Sequence, residues 1–198
     1  MSVYLDHNAT SPLRAQAREA MARAYDAGGN PSSVHGPGRA ARAIVETARA
    51  SLARHFVTRA EDVVFTSGGT EANNLVIASA KAAGAKRLII SAIEHDAVRD
   101  AASASGLQVE ILPVTPEGVA DLGWLEARLS GWDRDTDGTP FVALMAANNE
   151  TGVVQPVEAA GRLVREAEGL FHVDAVQMAG KLAFDFAGSL AHYAALSA

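Results

Sequence analysis

Polar residues capable of binding or catalysis follow several short apolar runs of this chain, each at the point where the run ends. The motif Thr66-Ser-Gly-Gly-Thr-Glu71 follows the first run, Glu94-His95 follows the second, and Asn148-Asn149 and Asp174 follow two later ones. If these runs are strands of one parallel sheet, their carboxyl ends lie along one edge, where the ligands of such sheets gather. The residues are therefore candidates for a single ligand-binding site.

The first of these motifs could hold an anion. In Gly68-Gly69-Thr70, two glycines precede a threonine that starts a helix, so backbone N–H groups can converge at the positive end of that helix. The motif is not a Walker A loop, because no Gly-Lys-Ser or Gly-Lys-Thr follows, and it lacks the spacing of a dinucleotide fingerprint. Phosphate binding and ordinary turn formation are both open for this segment taken alone.

The histidine and the asparagines each have a structural and a functional interpretation. His95 could stack flat on an aromatic ring, act as a base, or cap the next helix. Asn148 and Asn149 could satisfy loop backbone groups through Asx turns, or donate amide hydrogen bonds to a ligand oxygen. Neither segment decides between these interpretations by itself.

Asp174 carries the most specific chemical signal. An aspartate at the end of a buried apolar strand is costly unless a cationic group meets it. A pyridinium N–H is such a partner in enzymes that use pyridoxal 5′-phosphate, whereas a salt bridge with a nearby arginine is the structural alternative. Gln177, three residues on, could reach the phenolic oxygen of the same ring. A phosphate cradle, a stacking histidine, amide donors and this acid together predict a pyridoxal-phosphate pocket that lacks its lysine.

Short apolar runs alternate with helical segments along most of the chain. The predicted strands are residues 62–66, 87–91, 107–112, 141–146, 170–174 and 193–197. The predicted helices are residues 39–56, 70–83, 97–105, 122–129 and 157–168. Several strands are too continuously apolar to have one face in water, which suits strands covered by helices on both sides. The pattern predicts βαβ units in a mainly parallel sheet.

The segment before Glu61 has a different character. It has a short extended start at residues 3–5, followed by loops rich in glycine, asparagine, proline and serine and then by one helix. We therefore expect residues 1–60 to form an arm and helix segment and residues 61–198 to form the sheet domain.

The bulk composition favours a globular protein of the cytoplasm. Hydrophobic residues make up 48% of the 198 and charged residues 20%, which is enough apolar side chain for a core. A net charge of -6 with scattered Lys and Arg argues against nucleic acid or an anionic membrane as the main partner. The absence of cysteine excludes disulfides, a thiolate metal site and a cysteine nucleophile from these residues, and no metal is expected. Neither a secretory signal nor a run of about 20 apolar residues is visible.

The motifs resemble, in order and spacing, those of the cysteine desulfurases. These are fold-type I pyridoxal-phosphate enzymes of the class V aminotransferase group, of the kind that supply sulfur for iron–sulfur clusters. The resemblance spans the chain and is carried by Tyr4-Leu-Asp-His-Asn-Ala-Thr10, Gly29-Asn-Pro-Ser-Ser33 with His35, Thr66-Ser-Gly-Gly-Thr-Glu71, Glu94-His95, Asn148-Asn-Glu150 with Gly152, and His172-Val-Asp-Ala-Val-Gln177. It implies a three-layer α/β fold with a mainly parallel sheet, similar to the large domain of aspartate aminotransferase and incomplete at its C-terminus. Residues 1–60 would contribute to the small domain and its junction.

The resemblance also implies roles at the phosphate and on one face of the ring. Gly69 and Thr70 would hold the cofactor phosphate. Ser197 matches the serine of the family's Ser-x-His-Lys motif and would contact the same phosphate. His95 would stack on the ring and, as the catalytic residue, help to move protons.

Further roles concern the ring atoms and the lysine. Asn149 would lie near the ring's oxygen and the substrate carboxylate, Asp174 would pair with the pyridine nitrogen, and Gln177 would bond the phenolate. The family's histidine and Schiff-base lysine would be the next two residues of the chain. Lys181 lies well before that motif and does not take the lysine's role.

The reaction that the resemblance implies is conversion of L-cysteine to L-alanine, with the sulfur passed to an enzyme cysteine as a persulfide. A sulfur acceptor or iron–sulfur scaffold protein is an implied partner, and the full-length enzymes of the family form homodimers. The present residues alone are expected to be inactive, because they contain neither the Schiff-base lysine nor the sulfur-accepting cysteine.

Three alternatives stand beside this interpretation. Another class V enzyme, such as a selenocysteine lyase or a small-substrate aminotransferase, would share the same pocket. A non-enzymatic remnant would keep the pocket without the chemistry. Half of a split enzyme would need a second chain that begins near the His-Lys pair. A truncated gene or partial record is the simplest expectation for the ending at Ala198.

Overall fold

The computed structural model describes residues 3–197, and the chain divides into two compact units between Val64 and Phe65. The first unit contains helix α1 (Ala15–Ala27), helix α2 (Gly36–His55) and a 3₁₀ turn (Ala60–Asp62). The helix predicted at residues 39–56 is confirmed as α2. The prediction of loops before it is wrong where α1 forms. None of the residues of α1 is buried, and six of its thirteen residues are alanine, so its apolar pattern is a weak signal for a helix.

The strand predicted at residues 62–66 is wrong. The Val63 N–H bonds to the Ala60 carbonyl at 3.2 Å within the 3₁₀ turn, and the Val63 carbonyl accepts from the Arg49 guanidinium. The side chains of Val64 and Phe65 are exposed. Because a turn and a side chain use these backbone groups, the apolar run is extended but joins no sheet within the described part of the chain.

The second unit is built on five strands with helices between them. The strands are β1 (Arg87–Ser91), β2 (Gln108–Leu112), β3 (Phe141–Ala143), β4 (Leu170–Asp174) and β5 (Tyr193–Ala195). The helices are α3 (Gly69–Ala82), α4 (Asp96–Ala104), α5 (Leu122–Ser130), α6 (Arg134–Asp137) and α7 (Val157–Glu166). Only the short α6 has no counterpart among the helices predicted in this region.

All neighbouring strands are parallel, in the order β2-β1-β3-β4-β5. This confirms the predicted α/β fold with a mainly parallel sheet. None of the helices within residues 3–197 is long and apolar enough to cross a membrane.

Helices cover both faces of the sheet. Leu88 and Ile90 of β1 pack with side chains of α3 and α4 on one face. Ile89, which points to the opposite face, packs in a second core with side chains of α5 and α7. Both cores exclude water, which explains why the strands are apolar at consecutive positions rather than at alternate ones.

The strands end together and so fix where a site can form. Beyond β3, the Leu144 N–H still bonds to the His172 carbonyl at 3.1 Å and the Ala146 N–H to the Asp174 carbonyl at 2.8 Å. The run predicted at residues 141–146 therefore follows β4 over its whole length. The loops after β1, β3, β4 and β5 emerge along one edge of the sheet, as parallel pairing requires.

Candidate functional site

A cavity of about 190 Å³ lies at the carboxyl edge of the sheet, within the second unit. The first turns of α3 and the loops after β1, β3, β4 and β5 line it with Gly69, Thr70, Asn73, His95, Ala97, Met145, Ala147, Asn149, Asp174, Val176, Gln177 and Ser197. The structure brings together in this lining all the residues to which the resemblance gave roles, whereas the candidates Glu94 and Asn148 lie outside it. Their individual roles stay predictions.

The start of α3 forms one wall of the cavity. Gly68 is the N-cap of this helix and has no side chain to cap its first amides. A Cβ atom placed on Gly69 would lie 3.4 Å from Val176 Cγ2 and 3.9 Å from Ser197 Cβ, so the backbone here lies against the loops after β4 and β5. Uncapped amides at the positive end of a helix that faces a cavity are suited to a phosphate group.

Asp174 presents a nearly buried carboxylate to the same cavity, with only 5% of the residue exposed. Its Oδ1 accepts from the Val176 N–H at 3.1 Å and its Oδ2 from the Asn73 side-chain amide at 2.9 Å. None of the ion pairs formed within residues 3–197 includes Asp174, so the arginine partner considered from the sequence is not found there. A carboxylate in this setting is suited to a cationic ligand group.

Next to Asp174 are Asn73, which also lines the cavity, and His172, neither of which the sequence analysis singled out. The Asn73 side-chain oxygen lies 2.8 Å from Nε2 of His172, and both residues are buried. Burial lowers the pKa of His172 to about 4, although the negative charge of Asp174 acts in the opposite direction. The imidazole is therefore neutral at pH 7 and does not act as the counter-ion of Asp174.

His95 performs one of the three functions that its sequence position allowed. It is the N-cap of α4, and its Nδ1 accepts from the Ala97 N–H at 3.1 Å. This hydrogen bond holds the ring at the edge of the cavity and leaves Nε2 as the proton-carrying nitrogen of the neutral imidazole. Capping is thus compatible with stacking or proton transfer, which remain predictions.

The two asparagines after β3 have different roles: one stabilises the loop and the other lines the cavity. Asn148 forms the Asx turn: its Oδ1 accepts from the N–H groups of Glu150 at 3.0 Å and Thr151 at 2.9 Å, and its amide donates to the Ile93 carbonyl. Asn149 lines the cavity. The loop is therefore shaped by Asn148, and it places Asn149 where a ligand oxygen could meet its amide.

Gln177 and Lys181 lie four residues apart in the turns after β4. The Lys181 ammonium donates to the Gln177 side-chain oxygen, and Gln177 lines the cavity whereas Lys181 does not. No lysine of the described residues lines the cavity. The expectation that Lys181 is not the Schiff-base residue stays a prediction.

Glu94 is a buried carboxyl group in the loop that also carries His95. Its Oε1 accepts from the Ser91 hydroxyl at 2.5 Å and from the Met145 N–H at 2.7 Å. Burial raises the pKa of Glu94 to about 7, and the negative charge of Asp174 adds to the increase, while these two hydrogen bonds oppose it. Glu94 thus links the end of β1 to the segment after β3, and the loops that follow these two segments carry His95 and Asn149.

Sequence reasoning overlooked Asn73, His172 and Glu94 as structural partners of the site. A signal for His172 was present, because residues two apart in a strand share one face and His172 precedes Asp174 by two. Asn73 lies inside a helical segment, where the side that faces the sheet depends on packing. Glu94 stands next to a more obvious candidate, and only its burial distinguishes it.

A parallel sheet with helices on both faces, carrying an uncapped helix start and a buried aspartate around one cavity, defines the large domain of a pyridoxal-phosphate-dependent transferase. The class V aminotransferase profile matches residues 3–198, and the chain belongs to this family. Members of this family, the cysteine desulfurases among them, depend on pyridoxal phosphate.

Curated relatives and solved structures place the chain near cysteine desulfurases. The chain is 40% identical over 204 residues to the cysteine desulfurase IscS of Anaeromyxobacter sp. strain Fw109-5, an alignment that covers 99% of this chain and 49% of that protein. The chain therefore spans about half the length of the curated relatives that it matches.

Two solved structures extend the comparison. The X-ray structure of a NifS-like protein from Rickettsia africae ESF-5 superposes with a TM-score of 0.89 at 32% identity, covering 98% of this chain and 53% of that one. A structure of SspA in complex with cysteine superposes with a TM-score of 0.86 at 28% identity, covering 99% of this chain and 57% of that one. One of these structural neighbours thus binds cysteine.

Proposed function

We propose that this chain is the cofactor-binding portion of a pyridoxal-phosphate-dependent cysteine desulfurase that converts L-cysteine to L-alanine and passes the sulfur on. The observation that carries the proposal is the Asp174 carboxylate, nearly buried at the cavity and without a cationic partner among the described residues. An uncapped helix start lines the same cavity. A phosphate dianion and a protonated ring nitrogen on one ligand would match both features.

The residues that line the cavity match the chemical groups of the cofactor. Gly69, Thr70 and Ser197 would hold the phosphate, and Asp174 would keep the ring nitrogen protonated. Bound in this way, pyridoxal phosphate supplies an electron sink for bonds at the α-carbon of an amino acid. Identity to desulfurases and the cysteine complex of a structural neighbour support L-cysteine as the substrate.

Three further residues of the cavity lining would bind the substrate or the cofactor ring. His95, fixed through its Nδ1 by the Ala97 N–H, would stack on the ring and carry protons on Nε2. Asn149 would donate its amide to the substrate carboxylate, and Gln177 would bond the phenolic oxygen. Transfer of the sulfur requires a cysteine nucleophile, and the chain has none, so we propose that these residues alone release neither sulfide nor alanine from L-cysteine.

Equilibrium dialysis of the chain against pyridoxal phosphate tests the proposal. We expect weak, reversible binding, and we expect Asp174→Asn to weaken it by about 10- to 100-fold, because a hydrogen bond between two charged groups is lost. Asp100→Asn, on an exposed position of α4, is the matched control and should bind as the wild type does. Equal affinities for both variants would contradict the proposal.

Borohydride reduction adds an independent test of the lysine assignment. Because no described lysine lines the cavity, mass spectrometry after reduction should find no stable cofactor adduct at a site lysine. A reduced adduct on Lys181 would show that the Schiff-base position has been misplaced.

A further inference from the structure

We propose that Asn73 is a positioning residue: backed by His172, it holds the Asp174 carboxylate in the orientation that meets a protonated ring nitrogen. This inference rests on the proposed function, since the ring nitrogen of pyridoxal phosphate is the cation that Asp174 would meet. It assigns a function to the buried Asn73, which lines the cavity, and to His172 beside it.

The orientation of the Asn73 amide follows from its two neighbours. A carboxylate only accepts hydrogen bonds, so the NH₂ group of Asn73 must face Asp174 Oδ2, 2.9 Å away. The Asn73 oxygen then faces His172 Nε2 at 2.8 Å, and it can only accept, so His172 must carry its proton on Nε2. The three residues form one directed chain of hydrogen bonds, from the imidazole through the amide to the carboxylate.

Burial restricts this series of hydrogen bonds to a single arrangement. Asn73 is 1% exposed and His172 is fully buried, so water does not compete for either hydrogen bond. Asn73 belongs to α3 and Asp174 ends β4, so the amide links the helix that begins at the cavity to the strand that carries the acid. The Val176 N–H holds the other carboxylate oxygen. With both oxygens bonded, the carboxylate plane is fixed before any ligand arrives.

Because burial keeps His172 neutral, its imidazole does not compete with a ligand cation for the Asp174 carboxylate. An imidazolium behind Asn73 would attract the carboxylate away from a ligand cation and would share its charge. The buried imidazole is neutral at pH 7, so the ring nitrogen of the cofactor would be the sole cationic partner of Asp174 that the proposed site contains. The amide thus adds direction without adding charge.

The first test examines the chain without ligand. In ¹⁵N NMR of histidine-labelled wild type, we expect His172 as the neutral tautomer protonated on Nε2. The tautomer protonated on Nδ1 would require Asn73 to donate to His172 and to turn its oxygen toward Asp174, which would overturn the inference. This measurement needs no substitution, so it does not depend on whether a variant folds.

The second test uses 4′-deoxypyridoxine 5′-phosphate labelled with ¹⁵N in the ring. This probe keeps the phosphate, the ring nitrogen and the phenolic oxygen but has no aldehyde, so it cannot form a covalent adduct with a lysine. We expect Asn73→Leu to weaken its binding about 10-fold or more and to lower the pH at which the bound ring nitrogen loses its proton. Asn74→Leu, the neighbouring exposed position of α3, should leave both values unchanged.

The outcomes separate this inference from the proposed function. If the wild type fails to bind the probe, the proposed function is overturned together with the cofactor role of Asn73. If the wild type binds but Asn73→Leu keeps the same ring protonation and affinity, only the positioning role is overturned. A purely structural role for Asn73 would lower stability without shifting the ring protonation, and Asn73→Ala provides the same comparison if the leucine variant does not fold.

Discussion

Glu94 is the buried acid whose titration should be visible in the stability of the protein. In the folded chain its pKa is about 7, against an ordinary value of 4.5, because burial penalises the carboxylate. The folded state therefore binds a proton more tightly than the unfolded state. The corresponding stabilisation is complete below pH 4.5 and is lost as the pH rises through 7.

Replacing Glu94 with glutamine should remove this loss. The glutamine side chain would be neutral at every pH and could still accept from Ser91 and Met145, so Glu94→Gln should gain free energy of unfolding relative to the wild type as the pH rises from about 4.5 to 7. The gain should reach roughly 3 kcal/mol at higher pH. Urea denaturation across this range and above it measures the difference.

The exposed Glu126 of α5 provides the matched control. Glu126→Gln should follow the wild type across the pH range, because this side chain is in contact with solvent in both states. Parallel curves for wild type and Glu94→Gln would show that Glu94 ionises normally in the folded chain.

The sequence predicted those site residues that residue type and position next to a strand identify on their own. Gly69 and Asp174 could both be assigned to one edge of the sheet. Gly69 belongs to a flexible turn after an apolar run, and Asp174 is a charged residue at the end of another. Asn73 could not be assigned in this way. Its importance comes from two partners about 100 positions later in the chain, and the packing of α3 on β4 alone brings them within hydrogen-bonding distance.

At the scale of elements, the strands of the second unit were predictable because burial on both faces leaves a continuous apolar run. The same criterion failed at residues 62–66, where an apolar run is extended but its backbone groups bond to a turn and to Arg49. It failed in the opposite sense at α1, whose helix is supported by alanine-rich propensity and buries no residue. The pattern of apolar residues along the sequence thus indicates which segments are buried. It misleads where a helix forms without burial, as in α1, and where an apolar run stays exposed, as at residues 62–66.

Helix α7 approaches the loop before β5 so closely that only glycine fits at one position. A Cβ atom on Gly161 would lie 2.0 Å from the Ser189 carbonyl oxygen and 3.2 Å from Leu190 Cβ. The nearest atom belongs to the backbone, so the clash cannot be relieved by rotating a side chain. We expect Gly161→Ala to lower the free energy of unfolding by about 1–3 kcal/mol.

The same substitution on an exposed helix should have the opposite sign. A Cβ atom on Gly123 of α5 meets nothing closer than 3.4 Å, and alanine is the better helix former by about 1 kcal/mol. Gly123→Ala should therefore be neutral or stabilising in thermal denaturation. Destabilisation of both variants by the same amount would contradict the assignment of the loss to the α7 contact.

At the scale of the whole molecule, the two units differ in how much they bury. The sheet unit has a core on each face. In the first unit α1 has no buried residue, and α2 buries only Gly38 and Ala53. Ile44 of α2 is exposed. A unit with so little apolar surface removed from water contributes little hydrophobic stabilisation of its own.

We therefore expect the chain to self-associate, because exposed apolar patches of this kind promote association. The exposed residues Met21 and Tyr25 of α1 and Ile44 of α2 are the side chains to test. Sedimentation velocity at micromolar concentration should show species heavier than one chain, and the triple substitution Met21→Lys, Tyr25→Lys and Ile44→Lys should shift the distribution toward the monomer. Leu182→Lys, at an exposed apolar position of the second unit, is the control for added charge alone. A wild-type chain that sediments as a single monomeric species would show that the exposed faces of α1 and α2 are not association surfaces.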